Sequence, residues 1–181
     1  MAKSKKNTLI IGGTKGIGKA ISTKLRSRGD QVFTFSRSGN NKSNNFKLNL
    51  LNKAEIKKTF SRNFSKKKID NLIFTQRYRG KKTYELFETD LFSASTILST
   101  LKKKFKKSAS VIFISSISNR TIVDDQSLEY HIARSGIEQM MRFYAAKFST
   151  KKIRFNCILP SKIITGDVNL PFPMKRQLMI D

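Results

Sequence analysis

An apolar run, Leu9-Ile-Ile11, passes directly into Gly12-Gly-Thr14-Lys15-Gly16-Ile17-Gly18 and then into a stretch of helical period. Gly12, Gly16 and Gly18 keep the spacing G-x-x-x-G-x-G. Glycine permits the tight strand-to-helix turn and lets backbone N–H groups come close to a ligand, and the helix that follows turns its partial positive charge toward the same point. Such a loop suits a pyrophosphate, so the chain is expected to build a nucleotide-binding fold. Gly12, Thr14, Lys15, Gly16, Ile17 and Gly18 are its candidate contacts.

A second phosphate motif competes for these residues. Gly13-Thr-Lys-Gly-Ile-Gly18-Lys19-Ala20 nearly spells the NTPase P-loop, but Ala20 stands where that loop needs a hydroxyl to hold Mg²⁺. The dinucleotide reading is therefore preferred, and no metal site is expected.

At 181 residues the chain has the length of one domain, 1–181, and 38% hydrophobic residues suit a globule with a core. No apolar run is long enough for a membrane span. The basic start at residues 1–6 leads into too short an apolar stretch for a signal peptide, so a cytoplasmic location is expected. Cys157, the single cysteine, falls in an apolar strand pattern and reads as a small core residue.

The formal net charge is +25, from 37 Lys plus Arg against 12 Asp plus Glu. Such a field attracts polyanions, yet the abundance of Lys, Asn, Ile and Phe also fits a coding bias, and many lysines stand where helices end. No segment interleaves basic and aromatic residues, and the lysines look dispersed along the chain. The expectation is salt-sensitive, sequence-indifferent contact with nucleic acid and no specific recognition.

Strand-like and helix-like periods alternate throughout. Strands are predicted at 7–12, 31–36, 45–50, 70–75, 110–115 and 153–159. Helices are predicted at 16–27, 53–64 with Asn52 as cap, 84–104 and 126–149. This alternation predicts an α/β fold, a Rossmann-like doubly wound parallel sheet of order 3-2-1-4-5-6, covered on both faces and with its ligand across the carboxyl ends of the strands.

The glycine loop together with Tyr130-His-Ile-Ala-Arg134 makes the chain resemble the short-chain dehydrogenase/reductases, from about Leu9 to Thr165. Further marks are Asn49-Leu50 after the third strand, where the family usually has an Asp that holds adenine, Glu88-Thr-Asp-Leu91, and Ile114-Ser-Ser116. The segment Ile153-Arg-Phe-Asn-Cys-Ile-Leu-Pro160-Ser-Lys-Ile163-Ile-Thr165 is similar to the family's "IRVN…PGxIxT" signature, whose Thr contacts the nicotinamide carboxamide. The resemblance implies NAD(P)-dependent oxidoreduction of a small-molecule carbonyl or alcohol, with Thr75, Pro160, Ile163 and Thr165 among the cofactor contacts. The run from Tyr130 to Ser161 is most similar to members from bacterial surface-carbohydrate and amino-sugar pathways, which implies a sugar-like substrate.

Charge bears on the cofactor. Ser36-Arg37 stands just past the second strand, where the adenosine ribose lies, and no acid is there to bind a free 2′-hydroxyl. Lys15 adds a second cation, so NADP (NADPH) is expected, with Arg37 gripping the 2′-phosphate.

In the family a Tyr is the proton donor, a Lys four residues on supports it and holds the ribose, a Ser orients the substrate oxygen and an Asn supports a water relay. Carried over by position, Tyr130 is the acid/base and Ser116 the orienting hydroxyl. The Lys and Asn positions hold Arg134 and Asp90. Arginine keeps the charge one helical turn from Tyr130 but cannot reproduce an ammonium's bonds to ribose. A carboxylate at 90 beside Arg134 would partly cancel the charge that Tyr130 needs.

Two further departures are expected. Thr75-Gln-Arg-Tyr-Arg-Gly80 replaces the usual "NNAG", and the chain stops at Asp181, before the family's usual last strand and substrate lid. The tail at 170–180 carries enough apolar residues to cover the sixth strand or dock on a second copy, so a homo-oligomer is expected. Two function classes fit: an NADP-dependent oxidoreductase, and a catalytically silent nucleotide-binding or scaffold protein derived from it.

Overall fold

The computed structural model describes residues 5–161 and 163. Six parallel strands, β1 (Asn7–Ile11), β2 (Gln31–Ser36), β3 (Asn45–Lys47), β4 (Ile69–Phe74), β5 (Phe105–Ile114) and β6 (Arg154–Ile158), form one sheet in the order β3-β2-β1-β4-β5-β6. The helices are α1 (Gly16–Ser27), α2 (Lys53–Asn63), α3 (Thr83–Phe87), α4 (Ser93–Leu101) and α5 (Leu128–Lys147). Strand order reverses between β1 and β4, and there a parallel sheet opens a crevice at its carboxyl end.

Side chains alternate across a strand, so Leu9 and Ile11 of β1 point to one face and Ile10 to the other. The first face carries the larger core. Phe33 and Phe35 meet Phe60 and Phe64 there, with Phe35 and Phe60 ring centroids 4.7 Å apart. Phe74 stacks on Phe113, also at 4.7 Å. Helices α2, α4 and α5 cover this face through Ile56, Ile97, Leu98, Leu101 and Ile137. On the second face Ile10, Val32 and Ile73 pack against Ile21 and Leu25 of α1, the one long helix on that side among the described residues.

Two of the helices open on side-chain caps. Asn52 accepts from Glu55 N–H at 3.0 Å to open α2, and Ser127 accepts from Tyr130 N–H at 3.3 Å to open α5. Three elements differ from expectation by more than two residues at an end or in their continuity. The helix expected at 84–104 is interrupted by a π-helical turn, Glu88–Phe92, between α3 and α4. This turn carries the buried Asp90 inward, a local geometry that periodicity does not report. The fifth strand begins at Phe105 instead of Ser110, because Ile69 pairs with Phe105 across an irregularity in register, and Ser108 takes a left-handed φ of 66° inside it. The third strand ends at Lys47, since Asn49 already turns into the cap of α2.

The expected tail cover at 170–180 and Thr165 lie outside the described residues. No helix among the described residues is long and apolar enough to cross a membrane.

Candidate functional site

A cleft of about 510 Å³ opens at the carboxyl ends of the strands. Its wall contains every cofactor contact expected from the sequence within the described residues: Gly12, Thr14, Lys15, Gly16, Ile17, Gly18, Ser36, Arg37, Asn49, Leu50, Thr75, Pro160 and Ile163. Ser116, Tyr130 and Arg134 line the same cleft, while Asp90 lies buried behind Arg134. Lys15, Arg37, Arg77, Arg79 and Arg134 contribute to the wall, and among the described residues no acidic side chain does. A cleft so lined attracts anions.

The glycines have separate physical tasks. Gly12 turns the chain with φ 85°, a left-handed conformation that side chains disfavour. Gly18 sits so close to the loop that a Cβ there would lie 2.3 Å from the Gly12 carbonyl oxygen and 2.5 Å from Thr75 Oγ1. At Gly16 a Cβ would meet nothing within 4 Å, so the loop leaves open space toward the cleft. Helix α1 begins just behind with no side-chain cap on its first turn, leaving N–H donors there for an anion. A nicotinamide dinucleotide fits this cradle. Gly18→Ala should push the loop off the helix and lower stability by about 1–3 kcal/mol, together with cofactor affinity; thermal melting with and without NADPH checks it.

Several expected contacts are already engaged. The Thr75 hydroxyl donates to Ile11 C=O at 2.7 Å and locks β1 to β4, so Thr75 acts as wall. Asn49 Oδ1 accepts from Leu51 N–H at 3.1 Å. At the edge where the adenosine ribose is expected, the Thr14 and Ser38 hydroxyls lie 3.2 Å apart, and those of Ser36 and Ser38 3.4 Å apart. Arg37 and Lys15 are exposed beside them.

Around the expected catalytic group, Tyr130 is buried on the first turns of α5. Ser116 follows β5, and its hydroxyl accepts from Ser118 N–H at 3.2 Å. The loop carrying it is braced from α5. Ser115 Oγ donates to Arg134 C=O at 2.8 Å, and His131 Nε2 accepts from Val123 N–H at 3.0 Å. Glu138 receives Arg120 at 3.0 Å together with Asn119 and Arg142; the Arg120 guanidinium holds its carboxyl below the ordinary value.

Arg134 and Asp90 form a buried ion pair, with side chains 2% and 0% exposed. Asp90 also accepts from Tyr78 N–H at 2.9 Å. Burial pushes its carboxyl above the ordinary value, against the pull of the Arg134 charge and the Tyr78 N–H. The Arg134 guanidinium carbon stands 4.8 Å from the centre of the Tyr130 ring, and its buried Nε has no hydrogen-bond partner. The coupling expected between positions 90 and 134 is thus a direct contact.

Sequence reasoning missed the segment after β4. Arg77 also lies over the Tyr130 ring, 4.6 Å from its centre, held by Gln126 Oε1 at 2.7 Å. Gln76 turns a buried, unpartnered Oε1 into the cleft wall. Tyr78 donates its hydroxyl to Glu85 at 2.8 Å. The departure from "NNAG" was the only available signal, because nothing in the spacing tells which side of the cleft these side chains occupy.

Residues 65–174 match the family profile described as Enoyl-(Acyl carrier protein) reductase. A tropinone reductase homolog of Arabidopsis thaliana is 27% identical over 187 residues, an alignment covering 89% of this chain and 70% of that protein. Among solved structures, a short chain dehydrogenase family protein from Francisella tularensis subsp. tularensis SCHU S4 superposes with a TM-score of 0.78 at 21% identity, covering 88% of this chain and 70% of that one. BdcA, solved in complex with NADPH, superposes with a TM-score of 0.80 at 17% identity over 98% of this chain and 79% of its own. With the profile spanning more than half of the sequence and the sheet order shared, the chain belongs to the short-chain dehydrogenase/reductases, a family of oxidoreductases that use a nicotinamide cofactor.

Proposed function

We propose that the protein is an NADP(H)-dependent oxidoreductase that interconverts a carbonyl and an alcohol on a small, sugar-like substrate. One observation carries this reading: one cleft, with no acidic side chain among its described lining residues, holds the glycine loop, Lys15 and Arg37 together with Tyr130 and Ser116. The working unit on this reading is one nucleotide-binding domain, 1–181, in a cytoplasmic homo-oligomer, which sedimentation tests.

The cofactor, when bound, supplies or accepts a hydride. In reduction the carbonyl carbon receives it, and the Tyr130 hydroxyl gives its proton to the carbonyl oxygen, so the substrate gains two hydrogens and no charge remains on it. Ser116 directs that oxygen with its hydroxyl. Gly12, Gly16 and Gly18 admit the pyrophosphate to the N-terminus of α1, and Arg37 with Lys15 binds the 2′-phosphate. Arg134 cannot serve as the free cation of the family's Lys, because Asp90 already neutralises it. Arg77, exposed and 4.6 Å from the Tyr130 ring centre, then supplies the positive charge beside Tyr130.

Arg37→Ala removes charge-assisted hydrogen bonds and should weaken NADPH binding by about 1.5–3 kcal/mol, or about ten- to a hundredfold, with little change for NADH. Calorimetric titration of both cofactors checks it, and equal losses for the two defeat the 2′-phosphate assignment.

The buried Arg134–Asp90 pair also favours a second reading, a silent nucleotide-binding protein on the same fold. NADPH oxidation with a panel of aldehydes, ketones and keto sugars separates the two. Turnover establishes the enzyme; NADPH binding with no turnover across the panel leaves the scaffold.

A further inference from the structure

The lysine runs that look dispersed along the sequence meet in space. In a parallel sheet every crossover helix returns to the amino ends of the strands, so α2, α4 and α5 all finish at the end opposite the cleft. The connections that follow them, at 64–68, 102–104 and 148–153, lead into β4, β5 and β6, which are adjacent in the sheet at a spacing of about 4.8 Å. Contacts between the runs show how closely they lie. Lys68 Nζ donates to Lys103 C=O at 3.5 Å, Lys151 Nζ to Lys102 C=O at 3.1 Å, and Lys104 Nζ to Ser65 C=O.

These connections contain no acidic residue. Asp70, at the start of β4, is already paired with Lys106 at 2.9 Å. Among the described residues the large exposed apolar side chains, such as Tyr84, Phe92, Ile122 and Phe143, all stand outside these connections. A membrane-surface site would need such side chains for insertion, and a single-strand site would need exposed rings for stacking. Lysines alone suit a row of phosphates.

We infer that the amino end of the β4-β5-β6 sheet is a docking face for duplex nucleic acid, bound through its phosphate backbone without regard to base sequence. The face lies at the opposite end of the sheet from the cleft, so duplex and cofactor bind without competition. Its chemistry is that of point charges on flexible stems, as expected for backbone contact.

The test compares two triple variants of equal charge by fluorescence anisotropy with labelled random-sequence DNA and RNA duplexes of about 20 base pairs over a salt series. Lys66, Lys103 and Lys107 are exposed on the proposed face; Lys53, Lys57 and Lys58 are exposed on α2. K66Q/K103Q/K107Q should weaken binding at least about tenfold and reduce the slope of log affinity against log salt by about 2.7, at about 0.9 per phosphate contact. K53Q/K57Q/K58Q should change affinity by less than about twofold. Equal weakening by both triples would show a diffuse field and overturn the proposal, as would a parent protein that ignores duplexes while binding phosphatidylserine vesicles. Lysine acetylation of the unmodified protein, with and without duplex, supplies a readout that needs no variant. Lys66, Lys103 and Lys107 should be protected and Lys53, Lys57 and Lys58 not; protection of neither set, or of both alike, counts against the face. Preference of DNA over RNA, or the reverse, identifies which duplex it takes.

Discussion

Tyr130→Phe should lower reductase turnover by about a hundred- to ten-thousandfold, the usual contribution of a positioned proton donor. Removing one hydroxyl takes away the proton that the carbonyl oxygen needs and leaves in place the ring that Arg77 and Arg134 both contact. NADPH binding should therefore change little, and the melting temperature should stay close to that of the parent. Steady-state NADPH oxidation alongside cofactor titration checks both halves. A variant that turns over as fast as the parent would remove Tyr130 from the chemistry. Arg77→Gln should give a smaller loss in rate with cofactor binding retained, because it takes away the exposed cation but leaves the proton donor.

Asp90→Ala should be the most damaging single change to stability. It leaves the Arg134 guanidinium, with its side chain 2% exposed, in the interior without its counter-charge. Breaking one partner out of a buried ion pair costs about 3–5 kcal/mol. Chemical denaturation reads this directly, and a loss under about 1 kcal/mol would mean that the pair is not held as the structure shows it. The catalytic counterpart is a cycle of Arg134→Lys, Asp90→Asn and the double variant. A lysine beside an uncharged amide restores a net positive charge near the phenol, so the double variant should raise the rate by more than the two single changes combined. Groups in direct contact are where additivity fails. Additive or null effects on rate would separate the pair from catalysis and favour the silent-binder reading.

Much of this protein was legible in its sequence, for local reasons. The change from a strand period to a helix period reports each βα unit because side-chain direction repeats every two or every 3.6 residues. The order 3-2-1-4-5-6 follows from right-handed crossovers and from the glycine loop marking β1. The cleft residues were legible for the same reason, since the carboxyl ends of successive strands must meet at one edge of the sheet. Asn52 could be read as a cap because a cap acts within three residues.

Tertiary structure alone decided the rest. The π-helical turn at Glu88–Phe92 has no period of its own; the family resemblance placed Asp90 beside Arg134, 44 positions along the chain, but not the burial of the pair. Arg77 faces Tyr130 only because β4 ends beside β5 and α5, and Gln126 anchors it there. The lysine runs at 66–68, 102–104 and 151–152 are separate features of the chain and one surface of the molecule. The sequence by itself determined which elements form and in what order they pair, because those depend on near neighbours and on chain connectivity. Which charges end up opposed, neutralised or massed was decided by the sheet, since Coulomb interactions depend on distance through space and not on separation along the chain.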